Sequence, residues 1–250
     1  MLTADLAGKT AFITGASSGF GVQFAKVLAA NGAAVAVAAR RADRLEALVT
    51  EIEAAGGQAK AIALDVSDPD AVKAAFAEVG AADIVVNNAG VAGASRAIDT
   101  PADEWRWVYD VNAHGVFWVA QAAAQQMIEA GKGGSIINIA SITAFRAAAG
   151  SAAYASSKAA VAHLTSLLAL DWARYGIRVN AIAPGYFKTE INDDFLESDY
   201  AAAMVKRIPM RRIGEMGELD GALLLLASDA GSYMTGSCLT VDGGHVCSAL

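Results

Sequence analysis

The sequence predicts a single α/β domain with a doubly wound parallel sheet of about seven strands and helices on both faces. Short apolar runs alternate along the chain with longer stretches of helical periodicity, which is typical of parallel sheets with crossover helices. Polar or glycine-rich motifs follow the apolar runs, where the carboxyl ends of parallel strands form ligand sites. The 250 residues fit one such domain, so we assign residues 1–250 to it.

The first half of the chain contains four predicted strands and three helices. Asn31 and Gly32 end the first helix as a C-cap, and Asp68 with Pro69 starts the third helix. The predicted strands are residues 9–14, 33–39, 58–64 and 83–86, and the helices are residues 19–31, 42–55 and one that opens at 67–69.

The second half begins with a long predicted helix and contains two further helices. Val161, Leu164 and Leu168 recur at helical spacing in the second of them. The pattern loosens between residues 186 and 216. The predicted helices are residues 101–130, 151–175 and about 218–228, and the strands are residues 135–139, 177–182 and 238–241.

Composition excludes several classes of protein. Hydrophobic residues make up 55% of the chain and charged residues 18%, which indicates a large buried core and not a disordered chain. A net charge of −7 without long Lys/Arg runs argues against nucleic-acid binding. No apolar run is long enough for a membrane span, and no signal peptide is evident. Cys238 and Cys247 lack metal-type spacing, so we expect free thiols, no metal site and a cytoplasmic protein.

A glycine-rich loop joins the first strand to the first helix. Its Gly-x-x-x-Gly-x-Gly spacing lets the backbone turn tightly and approach a pyrophosphate, and the helix N-terminus offers unpaired N–H groups. The loop therefore predicts a dinucleotide cofactor. The candidate binding residues are Gly15, Ser17, Ser18, Gly19, Phe20 and Gly21.

The end of the second strand indicates which dinucleotide is bound. An acid there would accept hydrogen bonds from a ribose 2′-OH, whereas this chain has Arg40 and Arg41, whose guanidinium groups suit a 2′-phosphate. We therefore predict NADP(H), with Arg40 as the phosphate contact and Arg41 either a second contact or a solvated residue at the start of the next helix. One arginine pair does not decide the question, so NAD(H) stays open.

Two more motifs follow the third and fourth strands. Asp65 and Val66 suit an adenine, with Asp65 accepting from the amino group, although a helix-capping role for Asp65 is an equal alternative. Asn88, Ala89 and Gly90 place an amide and small residues where a backbone would approach a flat ligand.

Tyr154 and Lys158 lie four residues apart and so share one helix face. An ammonium beside a tyrosine lowers the pKa of the phenol from about 10 toward neutrality, which would allow proton exchange with a carbonyl or an alcohol near pH 7. Ser141, at the end of the fifth strand, could donate to the same substrate oxygen. The spacing also occurs on solvated helix faces, so its meaning depends on the motifs that accompany it.

Taken together, these motifs resemble the signature set of the short-chain dehydrogenase/reductase family over essentially the whole chain. The resemblance implies a Rossmann-type fold, a nicotinamide cofactor and a homotetramer or homodimer. Together with the arginine pair, it predicts an NADP(H)-dependent oxidoreductase that interconverts a ketone or aldehyde and a (secondary) alcohol, with a small molecule as substrate. The motifs are residues 14–21, 87–90, Asn112, Ser141, Tyr154 with Lys158, and Pro184 with Gly185.

The resemblance also assigns roles. Tyr154 would be the general acid or base, Lys158 would bind the nicotinamide ribose, and Asn112 would distort its helix and hold a water that relays protons to Lys158. Phe20 departs from the family, which more often has an aliphatic residue there. The residues implied to line the nicotinamide carboxamide are Pro184, Gly185 and Thr189, and the candidate substrate contacts are Ile142, Phe145 and Tyr186, the last at the start of a substrate-binding segment at 186–216.

Other functions stay open at this point. The same chemistry could use NAD(H) or act on a 3-oxoacyl thioester, and an idle nucleotide-binding protein or a related epimerase or dehydratase would share parts of the pattern. The sequence identifies neither the substrate nor its stereochemistry.

Overall fold

A computed structural model describes residues 4–188 and 203–247. Seven parallel strands form one sheet with the spatial order β3-β2-β1-β4-β5-β6-β7. This arrangement confirms the predicted fold class. The strands are β1 (Thr10–Thr14), β2 (Ala34–Ala39), β3 (Gln58–Ala63), β4 (Ile84–Asn87), β5 (Gly134–Ile139), β6 (Ile177–Pro184) and β7 (Cys238–Val241).

Helices cover both faces of the sheet because strand residues alternate between two apolar cores. In β1, Ile13 packs with Phe24 and Leu223 on one face, whereas Phe12 packs with Phe76 and Met127 on the other. Helices α1, α2 and α7 cover the first face, and α3, α5 and α6 the second. The helices are α1 (Gly19–Ala30), α2 (Ala42–Ala54), α3 (Pro69–Val79), α4 (Ala102–Tyr109), α5 (Gly115–Glu129), α6 (Ala152–Trp172) and α7 (Asp220–Ala227).

The order of the strands reverses at β1. This strand pairs with β2 on one side and with β4 on the other, so the loops that leave β1 and β4 diverge to opposite faces of the sheet. A crevice opens between such loops at the carboxyl edge. The predicted ligand site therefore lies at the ends of β1 and β4.

The prediction of one continuous helix over residues 101–130 is wrong in its middle. Residues Asp110–His114 form a π-helical turn between α4 and α5. Asn112 in this turn accepts a hydrogen bond from the N–H of Val91 and donates one to its carbonyl, both at 2.8 Å. These bonds hold the side chain against a loop, and the local distortion that the family resemblance implied is present.

Three other boundaries differ from the predicted ones. Helix α6 ends at Trp172 and continues as a 3₁₀ turn before Gly176, whose φ of 71° lets the chain reverse into β6. Strand β6 extends to Pro184. A 3₁₀ turn, Met216–Leu219, precedes α7. No helix within residues 4–188 and 203–247 combines the length and the apolar character needed to cross a membrane.

Candidate active site

A cleft of about 680 Å³ opens at the carboxyl ends of the central strands. It brings most of the predicted nucleotide-binding residues, though not Gly21, and three of the four predicted catalytic residues onto one surface. The predicted residues that line it are Gly15, Ser17, Ser18, Gly19, Phe20, Arg40, Arg41, Asp65, Val66, Asn88, Ala89, Gly90, Ser141, Tyr154, Lys158, Pro184, Gly185 and Tyr186.

The glycine loop is packed so closely that two of its glycines admit no side chain. A Cβ on Gly15, whose φ is 68°, would lie 2.7 Å from the Cα of Ala89, and a Cβ on Gly21 would lie 2.4 Å from the carbonyl oxygen of Gly15. A Cβ on Gly19 would meet only open space. Ser18 makes no side-chain bond to the first turn of α1, so the N–H groups there are available to an anion. The loop thus fits the pyrophosphate of a dinucleotide.

Thr14 joins this loop to the next one, a role that the sequence reasoning missed. Its hydroxyl oxygen accepts from the N–H groups of Asn88 and Ala89, both at 3.1 Å, and the Asn88 amide donates to the carbonyls of Thr14 and Gly15 at 3.0 and 3.2 Å. A hydroxyl residue at the last position of a strand, directly before a glycine loop, was the available signal.

Arg41 forms hydrogen bonds with the glycine loop, whereas we predicted Arg40 as the phosphate contact. The Arg41 guanidinium donates to the hydroxyl of Ser17 at 2.8 and 3.2 Å and to the hydroxyl of Ser18 at 3.1 Å. Arg40 instead lies near Asp65 and interacts with its carboxylate electrostatically. Both arginines line the cleft, and Arg41 and the two serines form one polar cluster.

Asp65 does not cap helix α3. Its carboxylate accepts from the N–H of Ser67 at 3.0 Å and from the hydroxyl of Ser67 at 2.7 Å, while Asp68 accepts from the first-turn N–H groups of the helix. Burial raises the pKa of Asp65, but the two bonds from Ser67 and the charge of Arg40 outweigh it and hold the pKa below its usual value. Asp65 is therefore an anchored carboxylate at the cleft wall.

Burial governs the protonation of Tyr154 and Lys158. It raises the pKa of the Tyr154 phenol above 10, and the hydrogen bond with Ser141 only partly opposes this. It lowers the pKa of Lys158, which is 3% exposed, to about 8. The lysine Nζ donates to the carbonyl of Ile139 at 2.7 Å and lies 5.8 Å from the centroid of the Tyr154 ring. Burial therefore opposes the lowering of the Tyr154 pKa that we expected from Lys158.

Ser141 is oriented by its neighbour Thr143. The Ser141 hydroxyl oxygen accepts from the Thr143 N–H at 3.2 Å and from the Thr143 hydroxyl at 3.0 Å. A hydroxyl has two acceptor lone pairs and one proton, so these bonds leave the proton to be donated into the cleft. Donation toward the Tyr154 oxygen stabilises the phenolate and lowers the pKa of Tyr154, against the larger effect of burial.

Asn112 lies beneath the cleft and does not line it. Its amide nitrogen donates to the hydroxyl of Ser157 at 3.1 Å, and Ser157 donates to the Tyr154 carbonyl at 2.7 Å. A Cβ on Gly90 would lie 3.4 Å from both the Asn112 Oδ1 and the Lys158 Nζ, so the space above Gly90 is bordered by both groups. Ser157 was missed because a serine within a helix carries no sequence signal of this contact.

The three predicted substrate contacts lie in different environments. Tyr186 lines the cleft, and its ring lies 5.7 Å from that of His245, a buried histidine whose carbonyl accepts from Arg146. Ile142 is only 5% exposed and Phe145 is 51% exposed, and neither is among the residues that line the cleft. Thr189 lies outside the described residues.

Similarity to known proteins defines the class of the molecule. A family model described as enoyl-(acyl carrier protein) reductase matches residues 15–245. The chain belongs to the short-chain dehydrogenase/reductase family and is an oxidoreductase.

Individual relatives cover nearly the full length of the chain. A gluconate 5-dehydrogenase from Gluconobacter oxydans is 38% identical over 96% of this chain and 95% of its own. A 3beta-hydroxysteroid dehydrogenase 1 from Eggerthella lenta is 42% identical over 96% of this chain and 94% of its own. A solved gluconate 5-dehydrogenase from Burkholderia cenocepacia, in complex with NADP and tartrate, is 40% identical with a TM-score of 0.93, over 98% of this chain and 97% of that chain.

Replacing Lys158 with methionine tests the cost of its burial. Because the pKa is about 8 in the folded protein and about 10.5 when unfolded, the folded state carries a desolvated charge below pH 8 and loses that penalty as the pH rises. The free energy of unfolding of the wild type, relative to Lys158→Met, should therefore rise by about 3 kcal/mol between pH 7 and 10.5. Urea denaturation at several pH values measures this difference.

The matched control is Lys132→Met, which removes an exposed ammonium. Its stability difference from the wild type should stay flat over the same pH range. A flat difference for Lys158→Met as well would contradict the assigned effect of burial.

Proposed function

We propose that this chain binds NADP(H) and interconverts a secondary alcohol and the corresponding ketone, or an aldehyde and its alcohol, with Tyr154 as general acid and base. One observation carries the proposal: Ser141, Tyr154 and Lys158 line the same cleft as the glycine loop. A nicotinamide placed along this surface would hold its ring beside the phenol.

The proposed mechanism assigns each step to a named atom. The bound cofactor supplies or accepts the hydride. In reduction the Tyr154 hydroxyl donates its proton to the carbonyl oxygen of the substrate, and the raised pKa that burial imposes keeps that proton in place until it is needed. Ser141, whose acceptor sites are occupied by Thr143, donates a hydrogen bond to the same oxygen. In oxidation Tyr154 must first be ionised, and its phenolate, stabilised by Lys158 and Ser141, then takes the hydroxyl proton of the alcohol.

Lys158 and Asn112 are proposed to act behind the phenol. Lys158 borders the space above Gly90, where its ammonium can bind the nicotinamide ribose and stabilise a phenolate. Asn112, held by Val91 and Ser157, shapes the same space and the position of a proton-relaying water. Pro184, Gly185 and Thr189 are proposed to face the nicotinamide carboxamide.

The cluster of Arg41, Ser17 and Ser18 supports NADP(H). A guanidinium and two hydroxyls suit the oxygens of a 2′-phosphate, with Arg40 as a second cation at the same strand end. Asp65 and Val66 would border the adenine. NADP in the relative from Burkholderia cenocepacia agrees with this choice, and NAD(H) is the alternative.

The substrate is proposed to be a small carbonyl or alcohol compound held between Tyr154 and Tyr186. We propose that the specificity of this single domain resides in residues 186–216. A panel should contain gluconate, a 3β-hydroxysteroid and a 3-oxoacyl thioester, because the relatives and the alternatives differ in these classes. Oxidation of NADPH, or reduction of NADP⁺ by the alcohols, identifies the substrate.

The protein is further proposed to be a cytoplasmic homotetramer or homodimer. Its two thiols, Cys238 and Cys247, are free, as expected in a reducing compartment. The helices α4, α5 and α6 carry exposed apolar side chains that a partner copy could bury. They are Trp105, Trp107, Ile128, Leu167 and Leu170.

Light scattering after size exclusion tests the assembly. The wild type should have the mass of two or four chains, and Leu170→Glu, which places a charge at a 79% exposed apolar position, should reduce the mass or weaken the assembly at low concentration. Glu46→Lys, which reverses an exposed charge on α2 and so lies outside α4, α5 and α6, is the control. A single-chain mass for the wild type would contradict the proposal.

Replacing Tyr154 with phenylalanine tests the mechanism. The variant keeps the ring but has no proton to exchange, so kcat should fall by about 10²- to 10⁴-fold while the Kd of NADPH changes by less than about 2-fold. Tyr175→Phe, which removes a hydroxyl from an exposed tyrosine, should behave as the wild type. Near-normal turnover of Tyr154→Phe would exclude the proposed mechanism.

Replacing Arg41 with alanine tests the cofactor. Loss of a charge-assisted contact to the 2′-phosphate should lower kcat/KM for NADPH by about 10-fold and leave kcat/KM for NADH nearly unchanged. Arg40→Ala should lower kcat/KM for NADPH by less than Arg41→Ala does. Arg44→Ala, one helical turn further along the chain, should leave it unchanged. An equal decrease of kcat/KM for NADPH and NADH would show that Arg41 does not bind the 2′-phosphate.

A further inference from the structure

An aromatic contact connects the glycine loop with the segment that carries Tyr186. Phe20, between two glycines of the loop, lines the cleft, and its ring meets that of Phe187 edge-on, with centroids 5.6 Å apart and an interplanar angle of 87°. This geometry is the favourable edge-to-face arrangement of two aromatic rings. The contact joins residues from the ends of β1 and β6, on the two sides of the cleft.

Phe187 is fixed on its other side by Gly214. A Cβ on Gly214 would lie 2.5 Å from a carbon of the Phe187 ring, so the ring packs directly on the glycine backbone. Two backbone hydrogen bonds flank this contact: the Gly214 N–H donates to the Tyr186 carbonyl at 2.9 Å, and the Lys188 N–H donates to the Gly214 carbonyl at 3.0 Å. Phe187 is only 4% exposed, so the position of its ring determines where the adjacent Tyr186 lies.

Phe20 is itself anchored. Its ring stacks on Phe24, a fully buried residue of α1, at 6.0 Å and 23°. The row Phe24–Phe20–Phe187 therefore runs from the core, through the loop proposed to hold the pyrophosphate, to the residue next to Tyr186. Among the described residues, this row is the aromatic link between the glycine loop and the proposed substrate side.

We propose that Phe20 is a positioning residue for the substrate: by fixing Phe187 it sets the location of Tyr186 in the cleft and transmits cofactor binding to that side. The inference rests on the proposed function. With NADPH bound at the glycine loop, Phe20 is held more firmly against Phe187, which stabilises the two hydrogen bonds that flank Phe187. An aliphatic side chain at position 20 would fill similar space without the directional edge contact.

Hydrogen exchange tests the coupling without any substrate. In the wild type, saturating NADPH should slow exchange of the Lys188 and Gly214 amides, which make the two flanking bonds, by about 2- to 10-fold. In Phe20→Leu, at an NADPH concentration that saturates the variant, the slowing should be lost, and Phe20→Tyr, which keeps the ring, should restore it. Equal slowing in Phe20→Leu and the wild type would overturn the inference.

Steady-state kinetics with the substrate found in the carbonyl panel gives the second readout. Phe20→Leu and Phe187→Leu should each raise the KM of that substrate by about 2- to 10-fold with kcat within about 2-fold, and the double variant should be no worse than either single one. Additive losses, or a loss confined to the Kd of NADPH, would contradict the coupling.

A third variant covers the case in which a leucine substitution prevents folding. Gly214→Ala leaves Phe20 and Phe187 intact but pushes the Phe187 ring away from its seat, so it should reproduce the loss of cofactor-dependent protection. Normal protection in this variant would overturn the inference. Failure of the wild type to bind NADPH would instead refute the proposed cofactor, which keeps the two failures distinct.

Discussion

The close approach of the loops after β1 and β4 is the constraint on which the site depends. Gly15 lies so near Ala89 that a Cβ on Gly15 would push the two loops apart, and hydrogen bonds of the Thr14 hydroxyl and the Asn88 amide hold them together. This contact places the nucleotide end of the cleft against Gly90, which in turn borders Lys158. The glycine loop and the residues around Lys158 are thus connected through this one contact, which lies where the strand order reverses.

The burial of Lys158 beside this contact lowers the stability of the fold. Lys158 is nearly fully buried, with the Ile139 carbonyl as its hydrogen-bond acceptor within the described residues, and desolvation accordingly lowers its pKa to about 8. The same desolvation raises the pKa of Tyr154, so burial alone favours the neutral form of both groups. Opposite charges on the pair become favourable only when each stabilises the other. A phenolate at Tyr154 therefore depends on stabilisation by Lys158 and by the hydrogen bond from Ser141.

Periodicity and turn chemistry were sufficient to predict the strands, the helices on both faces and the position of the cleft, because these depend on local alternation and on glycines that permit close approach. The deviations have non-local causes. The side chain of Asn112 in the π-helical turn is held by the backbone of Val91. Arg41 is held at the glycine loop by its hydrogen bond to Ser17, a contact between residues 24 positions apart. Likewise Ile142 follows a catalytic candidate in sequence, yet it packs inward from its 3₁₀ turn.

The same distinction explains why the reaction could be predicted and the substrate could not. Tyr154 and Lys158 are held by one helix and Ser141 by one strand end, so their relative positions follow from spacing and topology. On the substrate side, the geometry arises from contacts between residues far apart in the chain, such as Phe20 with Phe187 and Tyr186 with His245. Such contacts have no period in the sequence, and an edge-on ring pair is as compatible with the family fold as an aliphatic contact is. A relative named for gluconate and one named for a hydroxysteroid are 38% and 42% identical to this chain, so similarity over the whole chain does not identify the substrate.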